Sequence, residues 1–203
     1  MKKIITVALA LAFAISASAQ FGIIGGLTSS STKLETAINE ATSNQLNQYH
    51  AGIAYKFALP FGFAVQPAIT YNVKGATMGD ISYNFDFKTG FIEIPVQLQW
   101  GIEITPSLRP FVFAEPFVGY AISNSQSFTG DSINEIKDSW ENVKNRLEYG
   151  VGAGAGVDLF QRFQVSFRYF WNLGNLYDFS WGTLSKTQET ECNGILLSLG
   201  IFF

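Results

Sequence analysis

The sequence offers few side chains that could form a catalytic or metal-binding site. His50 is the only histidine and Cys192 the only cysteine in the 203 residues. A zinc site or a histidine-based triad therefore has one histidine at most, with Asp80 and Glu40 as its acidic partners. The motifs G-x-S-x-G, H-E-x-x-H and the P-loop do not occur in the sequence. We therefore expect no enzyme, no metal and no cofactor, and we place His50 at a rim of the fold.

Six charged residues share a position in the sequence pattern. Each lies in a segment where apolar residues alternate with other residues, and each belongs to the more polar of the two sets. They are Lys56, Glu93, Glu115, Glu148, Asp158 and Arg168. Charges that share an interior must be paired, so we interpret them as a structural network of ion pairs and not as a conduction path. The predicted central pair is Arg168 with Glu115 or with Glu93. The glycines of 150–156 alternate strictly, which favours a close-packed strand over a phosphate-binding loop.

The elements that would position these charges are eight segments with the period of two of a β-strand. They cover residues 20–29, 48–59, 63–73, 91–103, 108–123, 147–160, 163–175 and 194–203. In the fifth segment both faces are apolar, and Glu115 decides the orientation because a carboxylate belongs inside rather than against acyl chains. This predicts that Phe111, Phe113 and Phe117 point inward while Val112 points outward.

The connections between the eight segments alternate in length. Tight turns follow the second, fourth and sixth segments, whereas long polar stretches lie near 30–47, 74–90, 124–146 and 176–193. Short turns on one rim and long loops on the other are typical of an outer-membrane β-barrel. In the stretch 124–146, apolar residues at helical spacing and the capping pair Ser132 and Glu135 suit a short amphipathic helix, and an extension of the two neighbouring strands beyond the membrane fits the stretch equally well.

The amino-terminal residues predict export. Lys2 and Lys3 precede an apolar stretch over residues 4–15 and an A-x-A site at residues 17–19, which is the pattern of a cleaved secretory signal. We therefore divide the chain into a signal peptide, residues 1–19, and a barrel domain, residues 20–203. Cleavage of the signal peptide removes Lys2 and Lys3 and lowers the formal net charge from −3 to −5. An acidic protein of this kind is not expected to bind nucleic acid.

Composition supports a membrane location. Only 14% of the residues are charged, compared with about 25% in soluble domains. Apolar residues occur in alternation, and no apolar run after residue 19 has the length of roughly 18 residues that a spanning helix needs. A closed barrel is the membrane architecture that fits alternation. A soluble lipocalin-type barrel has the same period and remains an alternative at this point.

The last segment, GILLSLGIFF, would be an exposed edge in water unless it closes the barrel by pairing with residues 20–29. Several strings also resemble the PorT-type outer-membrane β-barrel family of Bacteroidota: FIEIPVQLQW, RPFVFAEPFVGY, EYGVGAGAGVDL, FRYFWNLGNL and the closing GILLSLGIFF. The resemblance covers residue 91 to the end and implies an eight-stranded barrel in the outer membrane. The terminal strand also resembles the signal by which the barrel-assembly machinery recognises outer-membrane proteins, an alternating strand that ends on an aromatic residue, so Phe203 is expected to be an assembly signal.

Taken together, these patterns predict an all-β fold, a closed eight-stranded antiparallel up-and-down transmembrane barrel with both termini in the periplasm. The expected function is structural, with a plugged lumen and with outer loops that bind an envelope or secretion protein. The alternatives are a PorT-type component of type IX secretion, a narrow pore and the soluble ligand-binding barrel. Outward Trp100, Tyr71, Tyr120 and Trp171 are expected to form aromatic belts against outer-membrane lipid.

Overall fold

The computed structural model describes residues 19–33, 44–80, 83–129, 134–137, 146–173 and 191–203. These residues are almost entirely β-strand. The strands are β1 (Ala19–Lys33), β2 (Asn44–Ala58), β3 (Phe63–Asp80), β4 (Tyr83–Gly101), β5 (Leu108–Thr129), β6 (Asn134–Lys137), β7 (Leu147–Leu159), β8 (Phe163–Asn172) and β9 (Glu191–Phe202).

Eight of these strands form one closed antiparallel ring. The order is β4-β3-β2-β1-β9-β8-β7-β5, and β4 pairs with β5 to complete the circle. The first and last strands pair from Gly22 opposite Phe202 to Lys33 opposite Glu191. The predicted up-and-down barrel of eight strands, closed by its final segment, is therefore confirmed. The short strand β6 lies outside the ring and pairs with the far end of β5.

The two faces of the barrel have opposite chemistry. On β8, Gln164, Ser166 and Arg168 are buried in the lumen, whereas Phe167 and Trp171 on the outer face remain 48% and 41% exposed. On the other strands large apolar residues likewise cover the outside, while polar and charged residues, small residues and inward phenylalanines such as Phe111, Phe113 and Phe117 fill the interior. A soluble barrel with an apolar lumen has the reverse arrangement, so the lipocalin-type interpretation is wrong.

Two groups of aromatic side chains on the outer face lie at different levels of the barrel. Phe63 pairs with Trp100 near the short turns, and Tyr71 on the same strand as Phe63 pairs with Ile92, which in turn pairs with Tyr120. Phe63 and Tyr71 are eight residues apart, which corresponds to about 20 Å along the barrel axis for strands tilted by about 40°. This height is close to the apolar band of about 25 Å that outer-membrane barrels present to lipid.

The short turns agree with the predicted ones. Residues Pro60–Gly62 form a single 3₁₀ turn between β2 and β3, with Phe61 and Gly62 at φ of 63° and 79°. Between β7 and β8, Phe160 and Gln161 adopt φ of 53° and 57°. Such left-handed conformations are uncommon for residues other than glycine, so these two turns hold three side chains in an unfavourable backbone region.

The predicted long loops, in contrast, are too long. Across the stretch 74–90, β3 continues to Asp80 and β4 begins at Tyr83, with register pairs from Val73 opposite Gly90 to Asp80 opposite Tyr83. The loops predicted at 30–47, 124–146 and 176–193 also lose residues to β1, β2, β5 and β9. At the end of β3 and the start of β2 both faces carry mainly polar or small residues, so the alternation is lost there. The start of β4 does alternate, with Tyr83, Phe85 and Phe87 against polar neighbours, and this signal was overlooked.

Of the two structures considered for the stretch 124–146, the described residues confirm the extended strands, and the helix is wrong there. β5 runs on to Thr129, and Asn134–Lys137 is a strand paired with residues 125–128 of β5. The rest of the predicted helix lies outside the described residues, as do Glu40 and nearly all of the predicted signal peptide. Within the described part, no helix has the length and apolarity required to cross a membrane.

Candidate functional site

All six charged residues predicted to face the lumen are buried in it. Their residues are between 0% and 9% exposed: Lys56, Glu93, Glu115, Glu148, Asp158 and Arg168. The structure divides them into two clusters and adds one cation to each. A central cluster contains Glu93, Glu115, Glu148 and Arg168 around Lys74, and a rim cluster near the short turns contains Lys56 and Asp158 with Arg109.

Lys74 of β3 is the hub of the central cluster. Its ammonium lies 2.7 Å from Glu93 Oε1 on β4, and 3.0 and 3.1 Å from the two carboxylate oxygens of Glu148 on β7. The three side chains are at most 2% exposed. The two glutamates lie on either side of Gly119, which pairs with both of them. A Cβ on Gly119 would lie 2.6 Å from Glu148 Oε1 and 2.8 Å from its Cγ, so a side chain there would displace Glu148 from its position beside Lys74.

Aromatic rings complete the surroundings of the Lys74 ammonium. It lies 4.6 Å from the ring centroids of Phe117 and Phe170 and 5.5 Å from that of Phe91. Phe117 and Phe170 themselves meet edge to face at 6.2 Å. Ring faces attract cations most strongly where water is excluded, so these rings add to the attraction of the carboxylates. The ammonium is thereby fixed at one point of the lumen.

Arg168 of β8 makes the second contact of the central cluster. Its guanidinium pairs with Glu115 and lies 3.8 Å from Glu93 Oε2, and it faces the rings of Phe117 and Phe170 at 5.6 and 5.7 Å. The predicted partners of Arg168 are therefore both beside it. Glu115 and Arg168 reach each other over β7, because the β7 residues opposite them are Gly152 and Gly154.

The predicted rim position of His50 is wrong. His50 is 4% exposed, and its Nδ1 and Nε2 lie 3.1 Å from Thr28 Oγ1 and 2.9 Å from Ser198 Oγ. Because the Thr28 hydroxyl donates to Asn72 Oδ1, it accepts a hydrogen bond from His50 Nδ1–H, and Nε2 makes a second hydrogen bond with the Ser198 hydroxyl. His50 lies inside because β2 begins six residues earlier, at Asn44. Both ring nitrogens bind hydroxyl groups, which does not match a triad or a metal site.

Asn72 links His50 to the central cluster. It accepts from Thr28 and donates through Nδ2 to Glu93 Oε1 at 2.9 Å. On the opposite wall, Asn172 donates to Glu148 Oε2 at 2.8 Å. The carboxylates thus have amide donors in addition to the cations, which offsets the desolvation cost of burying them.

The rim cluster closes the other end of the lumen. Lys56 Nζ and Arg109 Nη1 lie 2.5 and 2.7 Å from the same oxygen, Asp158 Oδ2. Arg109 also donates through Nη2 to the carbonyl oxygen of Gly62, which fixes the turn between β2 and β3 to the lumen wall. A layer of glutamines separates this cluster from the central one, with Gln99 donating to Gln66 and Gln164 donating to Asp158, both at 2.9 Å.

Lys74 and Arg109 are the two charged residues of the described clusters that sequence reasoning missed. Lys74 lies in the stretch interpreted as a loop, although it continues the inward series Gln66, Ala68, Thr70 and Asn72 by two residues. Arg109 precedes inward Phe111 by two residues in the same way. Extending each inward series by one position would have found both cations.

Two cavities adjoin these clusters. A cavity of about 30 Å³ borders Arg168, Glu115, His50 and Ser198 inside the lumen. A second cavity of about 750 Å³ is the mouth of the barrel on the short-turn rim, and its walls include Lys56, Arg109 and Asp158. Among the described residues, no group of three or more His, Cys, Asp or Glu could hold a metal ion.

Comparisons with known proteins agree with this architecture. Residues 13–178 match the family described as "Outer membrane protein beta-barrel domain". No curated protein matches the chain.

Among solved structures, the chain is similar to Ail, the attachment invasion locus protein of Yersinia pestis, solved with the heparin analogue sucrose octasulfate (14% identity, 92% of this chain, 99% of Ail, TM-score 0.43). It is also similar to Neisserial surface protein A (11% identity, 90% of this chain, 97% of that protein, TM-score 0.46). A third is OprG of Pseudomonas aeruginosa (11% identity, 92% of this chain, 96% of OprG, TM-score 0.45). The family match extends over most of the sequence, and the closed ring of strands with an apolar exterior is the architecture that this family name describes. The chain therefore belongs to the outer-membrane β-barrel protein family.

Proposed function

We propose that this protein is a non-enzymatic outer-membrane barrel with a plugged lumen, which acts through the parts of its strands and loops that extend beyond the membrane. The observation that carries the proposal is the central cluster. Contacts from Lys74 and Arg168 reach β4, β5 and β7 through the middle of the lumen, where they meet three buried carboxylates.

The charge balance supports a plug. Among the described lumen residues, four cations face four carboxylates: Lys56, Lys74, Arg109 and Arg168 against Glu93, Glu115, Glu148 and Asp158. A conducting path would need a continuous aqueous column, whereas the cavity next to Arg168 measures about 30 Å³, which is space for one or two water molecules. Eight strands enclose an interior that side chains can fill.

Conductance in planar bilayers tests the plug. We expect the purified wild-type barrel to show no steady open state. A variant with Lys74→Ala, Glu148→Ala and Phe170→Ala removes the hub, one of its acids and one ring, and it should conduct if its folding is retained in a heat-modifiable gel shift. A stable open state of the wild type would contradict the proposal and would favour a narrow pore.

The proposed orientation places the short turns and both termini in the periplasm, which is the arrangement of bacterial outer-membrane barrels. Cysteine labelling on intact cells tests it, in a Cys192→Ser background. A membrane-impermeant maleimide should label a cysteine introduced at position 81, between β3 and β4, without permeabilisation. A cysteine in place of Ser107, in the turn between β4 and β5, should react only after the outer membrane is opened, and the reverse pattern would invert the orientation.

The interaction role rests on the height of the barrel wall. Beyond the level of Tyr71 and Tyr120, β3 and β5 each continue for nine residues, to Asp80 and Thr129, and β4 pairs with both along this extension. A stable sheet above the membrane gives a partner a rigid surface. Crosslinking from cysteines in this extension, compared with cysteines in the periplasmic turns, would identify such a partner. Equal crosslinking at both ends would count against an outward-facing role.

A second candidate function is a PorT-type component of a type IX secretion assembly in a member of Bacteroidota. The strings in β4, β5, β7, β8 and β9 favour it. One residue of the most specific string, Glu93 of FIEIP, binds Lys74 in the central cluster, so this part of the resemblance concerns the barrel scaffold. A deletion strain should then lose secretion of type IX substrates and regain it with the wild-type gene, whereas normal secretion without the gene would exclude this role.

A further inference from the structure

The mouth of the barrel on the short-turn rim, called the vestibule below, has features of a ligand site. Its volume of about 750 Å³ lies in the range of small-molecule pockets, roughly 300–1,000 Å³. The floor consists of the rim cluster, Lys56, Arg109 and Asp158, and the ring of Phe202. The three turns on this rim form the walls.

The vestibule is more positive than the protein as a whole. The chain carries a formal net charge of −3. The floor, in contrast, has two cations for one carboxylate, and the charged residues of the walls are Arg162 and Glu103. The vestibule therefore carries a net charge of +1 in an acidic protein, and low-dielectric walls strengthen the field of such a charge.

Donor groups on the floor are not all used by Asp158. Both cations bind the same oxygen, Asp158 Oδ2, while Oδ1 accepts from Gln164. An ammonium has three donor protons, and in the described residues the Lys56 ammonium makes one hydrogen bond, to Asp158. Lys56 and Arg109 approach from β2 and β5, and their side chains keep 11% and 13% exposure at the base of the vestibule. An oxyanion entering from the periplasmic side would meet both.

From this geometry we propose that the vestibule binds a phosphate group, held by Lys56 and Arg109. Both side chains form charge-assisted hydrogen bonds with phosphate oxygens. Gln20, which the signal-peptide prediction makes the first mature residue, pairs with Lys56 in the wall, and its free α-amino group would add a further positive charge. The phosphate comes from a soluble compound of the periplasm or from the headgroup of a phospholipid at the rim, and the experiment separates these two sources.

The test uses the full-length mature barrel in maltoside detergent, which contains no phosphate. Inorganic phosphate is titrated by ³¹P NMR, and phosphatidylglycerol is added in a parallel experiment read by native mass spectrometry. Arg109→Gln and Lys56→Gln each leave Asp158 with one cation, so both variants should fold. Arg146→Gln is the control, because it removes the same charge from an exposed residue at the opposite rim.

We expect Arg109→Gln and Lys56→Gln each to weaken binding about tenfold, the effect of losing one charge-assisted hydrogen bond, and Arg146→Gln to bind like the wild type. Saturable binding of inorganic phosphate identifies a soluble ligand. Retention of one phosphatidylglycerol without binding of inorganic phosphate identifies a headgroup. Absence of both, or equal binding by Arg109→Gln and Arg146→Gln, overturns the proposal. None of these results depends on whether the lumen conducts.

Discussion

Lys74 and Glu148 join opposite parts of the barrel wall: Nζ of Lys74 lies 3.0 and 3.1 Å from the two carboxylate oxygens of Glu148, although β4 and β5 separate their strands in the ring. This contact connects residues 74 positions apart in sequence and crosses the lumen. It holds β3 and β7 at a fixed distance across the lumen, in addition to the hydrogen bonds that join neighbouring strands.

Lys74→Met should destabilise the barrel more than any other single loss of a lumen cation. It leaves Glu93 and Glu148 buried side by side without their shared partner, and breaking a buried ion pair in this way costs about 3–5 kcal/mol. Urea unfolding in detergent, followed by tryptophan fluorescence, measures the loss. The double variant Lys74→Met with Glu148→Gln should recover part of the stability. A single variant as stable as the wild type would exclude a structural role for the hub.

Arg168 and Glu115 should behave as one coupled unit. Arg168→Met leaves Glu115 without its cation and removes a second cation near Glu93, so we expect a larger drop in thermal stability than for Glu115→Gln. The double variant should lose less than the sum of the single losses, since residues in direct contact are not additive. If both single variants unfold at the wild-type temperature, the pair does not stabilise the barrel.

Two glycines of β7 allow a matched comparison. A Cβ on Gly154 would collide with the backbone oxygen of Phe167 and come within 2.6 Å of Phe113 Cζ, whereas on Gly152 its nearest neighbours would be Arg168 Cδ at 3.0 Å and the backbone oxygen of Tyr169 at 3.3 Å. Gly154→Ala should therefore destabilise by more than about 2 kcal/mol, and Gly152→Ala by clearly less. The urea midpoints of the two variants measure this order, and the opposite order would contradict the geometry.

Deletion of Phe203 should reduce insertion more than stability. Its side chain is 73% exposed, and its N–H donates to the Phe21 carbonyl oxygen at 2.7 Å, so the folded barrel loses one hydrogen bond, about 1 kcal/mol. If Phe203 is the assembly signal, outer-membrane levels of the truncated protein fall sharply while Phe203→Tyr is inserted normally. Normal levels of the truncated protein would count against this role.

The orientation of the membrane-spanning side chains could be predicted because lipid outside and charge inside impose opposite requirements. On β5, Glu115 alone decided the two faces, and the structure buries Phe111, Phe113 and Phe117 and leaves Val112 54% exposed, as predicted. The closing pair β1 and β9 followed from the same reasoning, because an unpaired apolar edge is unfavourable in water.

The sequence did not predict the strands where lipid no longer covers the outer face, because the difference between the two faces disappears there. Beyond the apolar band both faces of a strand meet water or other polar groups, so β3 near Lys74 and β2 before His50 have no alternation to mark them as strands. Lys74, the hub of the central cluster, was missed because it lies in the end of β3 that was interpreted as a loop. The pairing of Lys74 with two glutamates also depends on the curvature of the ring, which no spacing along one strand encodes.

The ion pairs also constrain the order of assembly. The cations Lys56, Lys74 and Arg109 belong to strands β2, β3 and β5, whereas Asp158 and Glu148, which bind them, are both carried by β7. In a half-built sheet that ends at β5, Lys56 and Arg109 lack Asp158, and Lys74 has Glu93 of β4 but lacks Glu148. Water must then solvate the unpaired positions until the carboxy-terminal strands arrive. We therefore expect expulsion of that water to be a late step of folding, completed when the carboxy-terminal strands close the ring.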